Sequence, residues 1–159
     1  HGALRDCPPQ ARTSMIARRT RVFFDGGARP NPGRMEAAVV VRGVAHLFED
    51  LGTGSNTDAE WLALHRALEL VQSQGIADAE LLGDARGVIR QANLALAGTL
   101  PAQDHSGALP AQDHSGTLPA QDHAATFLRL AMLARPVRIR WIRRAQNLAG
   151  IALAARHPR

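Results

Sequence analysis

Three acidic residues stand at positions where a carboxylate could take part in phosphate chemistry. Asp25 follows a short apolar run, Glu60 lies early in a predicted helix, and Asp84 follows a second apolar run. Carboxylates are ligands that Mg²⁺ prefers, and a pair of such ions can activate water and neutralise the leaving oxygen in phosphodiester hydrolysis. Each residue alone also has a simpler interpretation. Asp25 could be a turn residue, Glu60 could complement the helix dipole, and Asp84 could cap a helix.

The elements that must position these carboxylates begin with three predicted strands. Residues 21–24 form an apolar run that predicts a short buried strand, ended by the turn-forming Asp25-Gly26-Gly27. The loop at residues 29–33 contains two prolines and a glycine. Residues 37–41 and 44–48 are further apolar runs separated by Arg42-Gly43, which predicts a hairpin. We therefore expect three consecutive antiparallel strands.

The second half of the chain alternates between helical and strand patterns. Residues 52–57 form a loop that ends in helix-capping residue types. A helix of about four turns should follow, because apolar residues recur at helical spacing at Trp61, Leu64, Leu68 and Val71. The apolar pattern at residues 80–82 predicts a strand. The apolar residues around 88–92 predict a helix. Alternation over 137–141 predicts a half-buried strand, and residues 148–155 a closing helix.

A nonapeptide repeat occupies residues 100–123. The sequence LPAQDHSG begins at Leu100 and again at Leu109, and a truncated copy begins at Leu118. Proline in each copy argues against a helix and the polar content argues against a core, so we interpret the repeats as an inserted loop. Duplication explains the spacing of the Asp-His pairs better than metal ligation does.

Four segments, taken in order and spacing, resemble the type 1 ribonucleases H. They are residues 25–33 (DGGARPNPG), 55–60 (SNTDAE), 83–86 (GDAR) and 141–147 (WIRRAQN). The resemblance covers roughly residues 21–155 apart from the repeats. It implies an α/β ribonuclease H-like fold, with a five-stranded mixed sheet, three antiparallel N-terminal strands and flanking helices.

The resemblance also implies an activity and a cofactor. Members of the family hydrolyse the RNA strand of RNA–DNA hybrids endonucleolytically with two Mg²⁺ ions, for which Mn²⁺ can substitute. In the family's arrangement Asp25, Glu60 and Asp84 converge at one edge of the sheet and act as catalytic metal ligands. Asp25 would bridge both ions, and Glu60 and Asp84 would hold the ion nearer the leaving group.

Contacts with the hybrid are implied by the same resemblance. The backbone around Ala28 and the side chain of Asn31 would contact the minor groove, and Asn56, helped by Ser55, would contact the sugar–phosphate backbone. Asparagine and serine in such loops serve equally often as turn residues. The full set of expected nucleic-acid contacts is Gly26, Gly27, Ala28, Asn31, Ser55, Asn56, Arg143, Arg144 and Asn147.

The charge of the chain gives weak support for a polyanionic partner. The 159 residues include 19 basic residues, all arginine, against 14 acidic ones, for a formal net charge of +5. The absence of lysine is better attributed to a GC-rich base composition. A run of arginines (Arg138, Arg140, Arg143 and Arg144) is either a phosphate-binding stripe or a solvated strand face, and the last two lie nearer the expected active-site edge.

One position departs from the family pattern. The family's fourth carboxylate would fall four residues after Asn147, where Ile151 stands, and no Asp or Glu occurs after Asp122. Its loss should leave one of the two ions weakly held and attenuate activity. Two other functions therefore stay open: a catalytically weak or inactive nucleic-acid-binding module, and a nuclease of the same fold that acts on another RNA.

Length and composition fit a single domain. We expect the domain to span residues 21–156, interrupted by the repeats at 100–123, with tails at 1–20 and 157–159. Cys7 is the only cysteine, and the chain shows neither a bilayer-spanning apolar run nor a secretory signal. We expect a cytoplasmic monomer with no membrane or protein partner.

Overall fold

The computed structural model describes residues 19–98 and 120–157. Its strands are β1 Thr20–Arg29, β2 Gly33–Val41, β3 Val44–Phe48, β4 Thr53–Gly54, β5 Ala79–Gly83 and β6 Arg138–Trp141. Its helices are α1 Asn56–Ser73, α2 Arg86–Leu96, α3 Ala120–Ala134 and α4 Leu148–Ala155, with a 3₁₀ turn at Arg144–Gln146. None of the helices in these ranges is long and apolar enough to cross a membrane.

The strands form one mixed sheet in the order β3-β2-β1-β5-β6. The first three strands are antiparallel, whereas β5 runs parallel to β1 and β6 runs parallel to β5. The five-stranded mixed sheet agrees with the prediction, and the two-residue β4, which pairs with β2, adds a sixth strand. The predicted hairpin turn at Arg42-Gly43 is present, with φ values of 52° and 78° that suit a tight hairpin.

Strand β1 is longer than predicted. It continues through Asp25-Gly26-Gly27 to Arg29, so the turn predicted at these residues was wrong. The strand persists because β2 pairs along it, with Asp25 opposite Ala38 and Gly27 opposite Glu36. Gly26 serves a close approach instead: a Cβ there would lie 2.1 Å from the carbonyl oxygen of Ala59 in α1.

The main core lies on the face of the sheet that α1 covers. Val22 and Phe24 of β1 and Leu81 of β5 pack with Trp61 and Leu64 of α1. With 18 residues, α1 makes about five turns rather than four. The opposite face is covered over β1 and β2 by the short α4, in a smaller cluster that consists of Ala38, Val40, Ala149 and Leu153.

Helix α3 was not predicted. Its first four residues, 120–123, belong to the third repeat copy, so the prediction of a loop through residue 123 was wrong there. The helix is stabilised by a buried stripe at helical spacing (Ala124, Phe127, Ala131 and Ala134) that packs in the core with α1. The rest of the repeats, residues 100–119, lies outside the described residues, as do residues 1–18 and 158–159.

His123 from the third copy joins α3 to α1. Its Nε2 lies 2.8 Å from Oδ1 of Asp58, and both side chains are only 4% exposed. The imidazole also stacks on Trp61 with ring centroids 5.8 Å apart. The carbonyl oxygen of His123 also lies 3.2 Å from Nε2 of His65, so within the described residues this copy contributes packing and two buried polar contacts.

Candidate active site

Asp25, Glu60 and Asp84 lie close together, with one ligand atom from each carboxylate within 4.8 Å of the others. Asp25 is on β1 just past the point where its pairing with β5 ends, at Phe23 opposite Leu82. Asp84 directly follows β5, and Glu60 reaches the group from α1, which packs closely on Gly26. The convergence expected from the family resemblance is therefore present in the geometry.

The two carboxylate oxygens of Glu60 have different surroundings. Its Oε1 accepts a hydrogen bond from the backbone N–H of Gly26 at 2.5 Å, whereas Oε2 is buried without a hydrogen-bond partner. An unpaired buried carboxylate oxygen is energetically unfavourable unless a cation or donor compensates it. The pKa of Glu60 lies well above its usual range, because burial disfavours the charged form and the neighbouring Asp25 adds repulsion.

The pKa of Asp25 is raised for similar reasons. Burial is the main cause that raises its pKa to about 6. A hydrogen bond with Glu60 opposes the rise, the charge of Asp84 adds to it, and the guanidinium of Arg144 opposes it. Two buried acids with raised pKa values, one with an orphaned oxygen, form a donor set that fits a divalent cation.

Asp84 is positioned by Asn147. The Nδ2 group of Asn147 donates to Oδ2 of Asp84 at 3.1 Å and to the carbonyl oxygen of Phe24 at 3.0 Å. Its Oδ1 accepts from the N–H of Ala149 at 3.1 Å, so Asn147 also caps α4. Asn147 is fully buried, and the prediction that it contacts nucleic acid directly was therefore wrong.

The helix-cap interpretation of Asp84 is also wrong. Helix α2 has Ala85 as its N-cap residue, without any side-chain cap. The indole N–H of Trp141 donates to the carbonyl oxygen of Asp84 at 3.1 Å, and Arg86 lies over the same ring at 3.8 Å. Sequence reasoning missed this support, since it depends on β6 lying next to β5.

Several residues expected to contact the hybrid form hydrogen bonds that connect the end of β1 and the following loop to the start of α1. Oδ1 of Asn56 accepts from the N–H of Ala28 at 2.8 Å, and the N–H of Asn56 donates to Oδ1 of Asn31 at 3.0 Å. Ser55 caps α1 through a reciprocal contact with Asp58. The N–H groups of Gly26 and Ala28 are thus engaged within the protein, while the side chains of Asn31 and Asn56 remain exposed.

A cavity of about 400 Å³ opens over the three carboxylates. Arg144 lines it, and Arg143 is exposed next to Arg144 in sequence. Besides the carboxylates and the strand residues 26–28, the wall includes Arg29, Glu36, Asn56, Gly150, Leu153 and Ala154. The cavity therefore combines the three acidic side chains with two arginines, Arg29 and Arg144, in its wall.

Helix α4 brings no acidic side chain to this cavity. Ile151 is 54% exposed. Gly150 is the α4 residue that lies against Asp25, since a Cβ there would stand 3.5 Å from Oδ2 of Asp25. The missing fourth carboxylate seen in the sequence is therefore missing from this part of the site as well.

Comparison with known proteins agrees with this geometry. The chain is 38% identical over 78 residues to the ribonuclease HI of Halobacterium salinarum, a match that covers 46% of this chain and 39% of that protein. The aligned region thus spans less than half the length of this curated relative. No protein-family profile matches the chain.

Solved structures extend the likeness to most of the chain. Ribonuclease H1 of Halobacterium salinarum NRC-1 superposes with a TM-score of 0.63 at 25% identity, over 86% of this chain and 94% of that one. LC11 ribonuclease H1, solved in complex with an RNA/DNA hybrid, superposes with a TM-score of 0.60 at 25% identity, over 85% and 93%. The chain has the ribonuclease H-like fold and is similar to type 1 ribonucleases H in sequence over part of its length and in structure over most of it.

Proposed function

We propose that the chain is a ribonuclease H that hydrolyses the RNA strand of RNA–DNA hybrids and requires Mg²⁺ or Mn²⁺. The observation that carries the proposal is the cluster of Asp25, Glu60 and Asp84, in which Oε2 of Glu60 is buried without a partner. A structural acidic residue would normally have its oxygens hydrogen-bonded. A bound cation would compensate the one oxygen of Glu60, Oε2, that has no partner.

The proposed reaction divides the work among residues of the cavity. When bound, divalent ions would supply an activated water and neutralise the oxyanion leaving group, which would give products with a 3′-hydroxyl and a 5′-phosphate. Asp25, Glu60 and Asp84 would hold the ions, since one oxygen from each carboxylate lies within 4.8 Å of the others. Asn147 fixes the orientation of Asp84, and the N–H of Gly26 fixes that of Glu60. Arg144 at the cavity wall attracts the phosphate.

The proposed substrate follows from the relatives and from the exposed amides beside the cavity. LC11 ribonuclease H1 was solved with an RNA/DNA hybrid. In this chain the exposed Asn56 lines the cavity over the acidic cluster, and the exposed Asn31 accepts a hydrogen bond from the N–H of Asn56. Both side chains can bond sugar hydroxyls or phosphates. Contact with 2′-hydroxyls is how a protein distinguishes RNA from DNA in a shallow groove.

The test is a cleavage assay with a labelled hybrid across a concentration series of Mg²⁺ and of Mn²⁺. We expect internal cleavage of the RNA strand only, and none with Asp25→Asn. Single-stranded RNA, double-stranded RNA and double-stranded DNA serve as competing substrates. Absence of hybrid cleavage at every metal concentration would contradict the enzymatic proposal, and preferential cutting of another RNA would change its substrate.

A second candidate function has one observation in its favour. Helix α4 offers Gly150, Leu153 and Ala154 to the cavity but no carboxylate, which would weaken one cation. A chain that only binds hybrids would show hybrid affinity without turnover, and Asp25→Asn would leave that affinity unchanged. Measuring binding and cleavage on the same preparations separates the two functions.

A further inference from the structure

Glu36 lies on β2 beside the carboxylate cluster. The register of β1 and β2 places Ala38 opposite Asp25 and Glu36 opposite Gly27. Opposed residues of an antiparallel pair project to the same face, and diagonal neighbours lie roughly 7 Å apart, within reach of a long side chain. Glu36 therefore shares a face of the sheet with Asp25 and lines the same cavity.

The carboxylate of Glu36 is on the side of the cavity that α4 covers. Its Oε1 lies 3.5 Å from Nε of Arg156, and its Oε2 lies 2.5 Å from Nε2 of His157, both just past the end of α4. The guanidinium of Arg29 is a third neighbour, with its Nε 3.6 Å from Oε2 of Glu36. The Glu36 side chain is only 13% exposed. Arg156 and His157 line a neighbouring cavity, so Glu36 stands on the wall between that cavity and the one over the carboxylates.

This is the region where the site lacks an acidic group. Helix α4 presents Gly150 to Asp25, and the absent side chain leaves space beside Oδ2 of Asp25. Glu60 and Asp84 approach Asp25 from α1 and from the end of β5, not from α4. The orphaned Oε2 of Glu60 independently indicates that the cluster is built to take a cation.

We propose that Glu36 supplies the carboxylate that α4 lacks and acts as a ligand for the divalent cation on the α4 side of Asp25. This inference rests on the proposed metal-dependent function. Arg29 and Arg156 balance the charge of Glu36, and Arg156 and His157 compete with the cation for its oxygens. The site is thereby completed from the neighbouring strand rather than from the last helix.

The experiment is a Mn²⁺ titration of the whole chain without nucleic acid. Binding is monitored by calorimetry and by electron paramagnetic resonance of the free Mn²⁺. Glu36→Gln keeps the size of the side chain, and we expect about tenfold weaker binding of the second ion. Glu49→Gln is the matched control, because Glu49 also pairs with Arg156 but does not line the carboxylate cavity. Glu49→Gln should bind Mn²⁺ as the unaltered chain does.

A second arm tests the competition directly. Arg156→Gln should tighten Mn²⁺ binding, because it releases Glu36, and this gain should vanish in the Glu36→Gln background. A gain that persists there would reflect the general loss of a positive charge and would overturn the inference. Equal effects of Glu36→Gln and Glu49→Gln would overturn it too. Glu36→Asp, which keeps the charge but retracts it, should give intermediate affinity and covers the case in which Glu36→Gln does not fold.

The outcomes also separate this inference from the proposed function. If the unaltered chain binds no Mn²⁺, or if Asp25→Asn binds it equally well, the metal-dependent function itself fails. If Asp25→Asn loses both ions while Glu36→Gln keeps them, only the role of Glu36 fails.

Discussion

The side-chain amide of Asn147 links the last helix to the edge of the sheet that carries the three carboxylates, through its 3.1 Å hydrogen bond to Asp84. The same amide bonds the carbonyl oxygen of Phe24, the residue immediately before Asp25. One buried side chain therefore fixes the relative position of two of the three carboxylates.

Substitution of Asn147 should separate its two roles. Asn147→Ala removes both the α4 cap and the bonds to Asp84 and Phe24, and we expect a loss of stability of about 1–3 kcal/mol. Asn147→Ser keeps a capping oxygen but cannot reach Asp84, so it should restore part of the stability while metal affinity stays about 10–100-fold weaker. Urea denaturation and Mn²⁺ titration measure the two effects. Equal metal affinity in Asn147→Ser and the unaltered chain would show that Asn147 is only a cap.

The raised pKa of Asp25 predicts a specific dependence on pH. In the folded chain Asp25 titrates near pH 6, whereas its ordinary value is 3.8, so the folded state binds more protons between these values. The contribution of Asp25 to stability is then most favourable below about pH 4 and is lost as the pH rises through 6. Asp25→Asn should therefore gain stability relative to the unaltered chain on going from pH 4 to pH 7.

Divalent cations should offset the loss of stability that the ionisation of Asp25 causes as the pH rises. Cation binding requires the ionised carboxylates, so Mg²⁺ or Mn²⁺ should raise the melting temperature at pH 7 and have little effect at pH 4. Cleavage of the hybrid should likewise increase as the pH rises through about 6, as Asp25 ionises. Melting curves at both pH values, with and without Mg²⁺, test this. A rise in melting temperature that is equal at pH 4 and pH 7, or absent at both, would contradict the role of these acids as metal ligands.

Much of the fold could be predicted from local patterns, because each pattern has one dominant physical cause. Alternation over residues 137–141 and the apolar runs at 37–41 and 44–48 correctly predicted β6, β2 and β3. The helix-capping residue types in the predicted loop at 52–57 correctly indicated a helix start, although α1 begins at Asn56, within that loop. Order and spacing of the motifs brought Asp25, Glu60 and Asp84 together in the prediction, although none of the three was decisive alone.

The errors come from tertiary contacts that local patterns do not contain. Asp25-Gly26-Gly27 has the composition of a turn, yet pairing with β2 and the close approach of Ala59 keep it extended. The start of α3 has the composition of a polar loop, yet Phe127 and its neighbours bury it against α1. The burial of Asn147 and the position of Glu36 depend on strand register and helix packing, which the sequence does not state directly.

The contact between His123 and Asp58 should contribute to stability rather than to catalysis. Burial alone would raise the pKa of Asp58, but hydrogen bonds from Ser55 and His123 outweigh it and hold that pKa below its ordinary value. His123→Leu leaves a buried carboxylate without one of its partners, so we expect a loss of about 1–3 kcal/mol. In a double-mutant cycle with Asp58→Asn, the two substitutions should be non-additive. Additive losses, or a specific loss of cleavage by the folded variant, would contradict this assignment.

Gly150, rather than Ile151, should be the position from which α4 can supply a carboxylate. A Cβ at Gly150 would contact Oδ2 of Asp25 at 3.5 Å, whereas Ile151 is 54% exposed. Gly150 also lies in the first turn of α4, where an acidic side chain complements the helix dipole. Gly150→Asp should therefore tighten Mn²⁺ binding more than Ile151→Asp does, with Gly150→Asn as the uncharged control.

The same substitution should rescue the variant that lacks the acid on β2. If Glu36 fills the place that α4 leaves empty, Gly150→Asp should recover most of the Mn²⁺ affinity that Glu36→Gln loses, and should add less to the unaltered chain. Both carboxylates would then serve the same ion, so their effects on affinity would be less than additive. Mn²⁺ titration of the unaltered chain, Glu36→Gln, Gly150→Asp and the double variant tests this. Fully additive changes in Mn²⁺ affinity would place the two acids at separate cations instead.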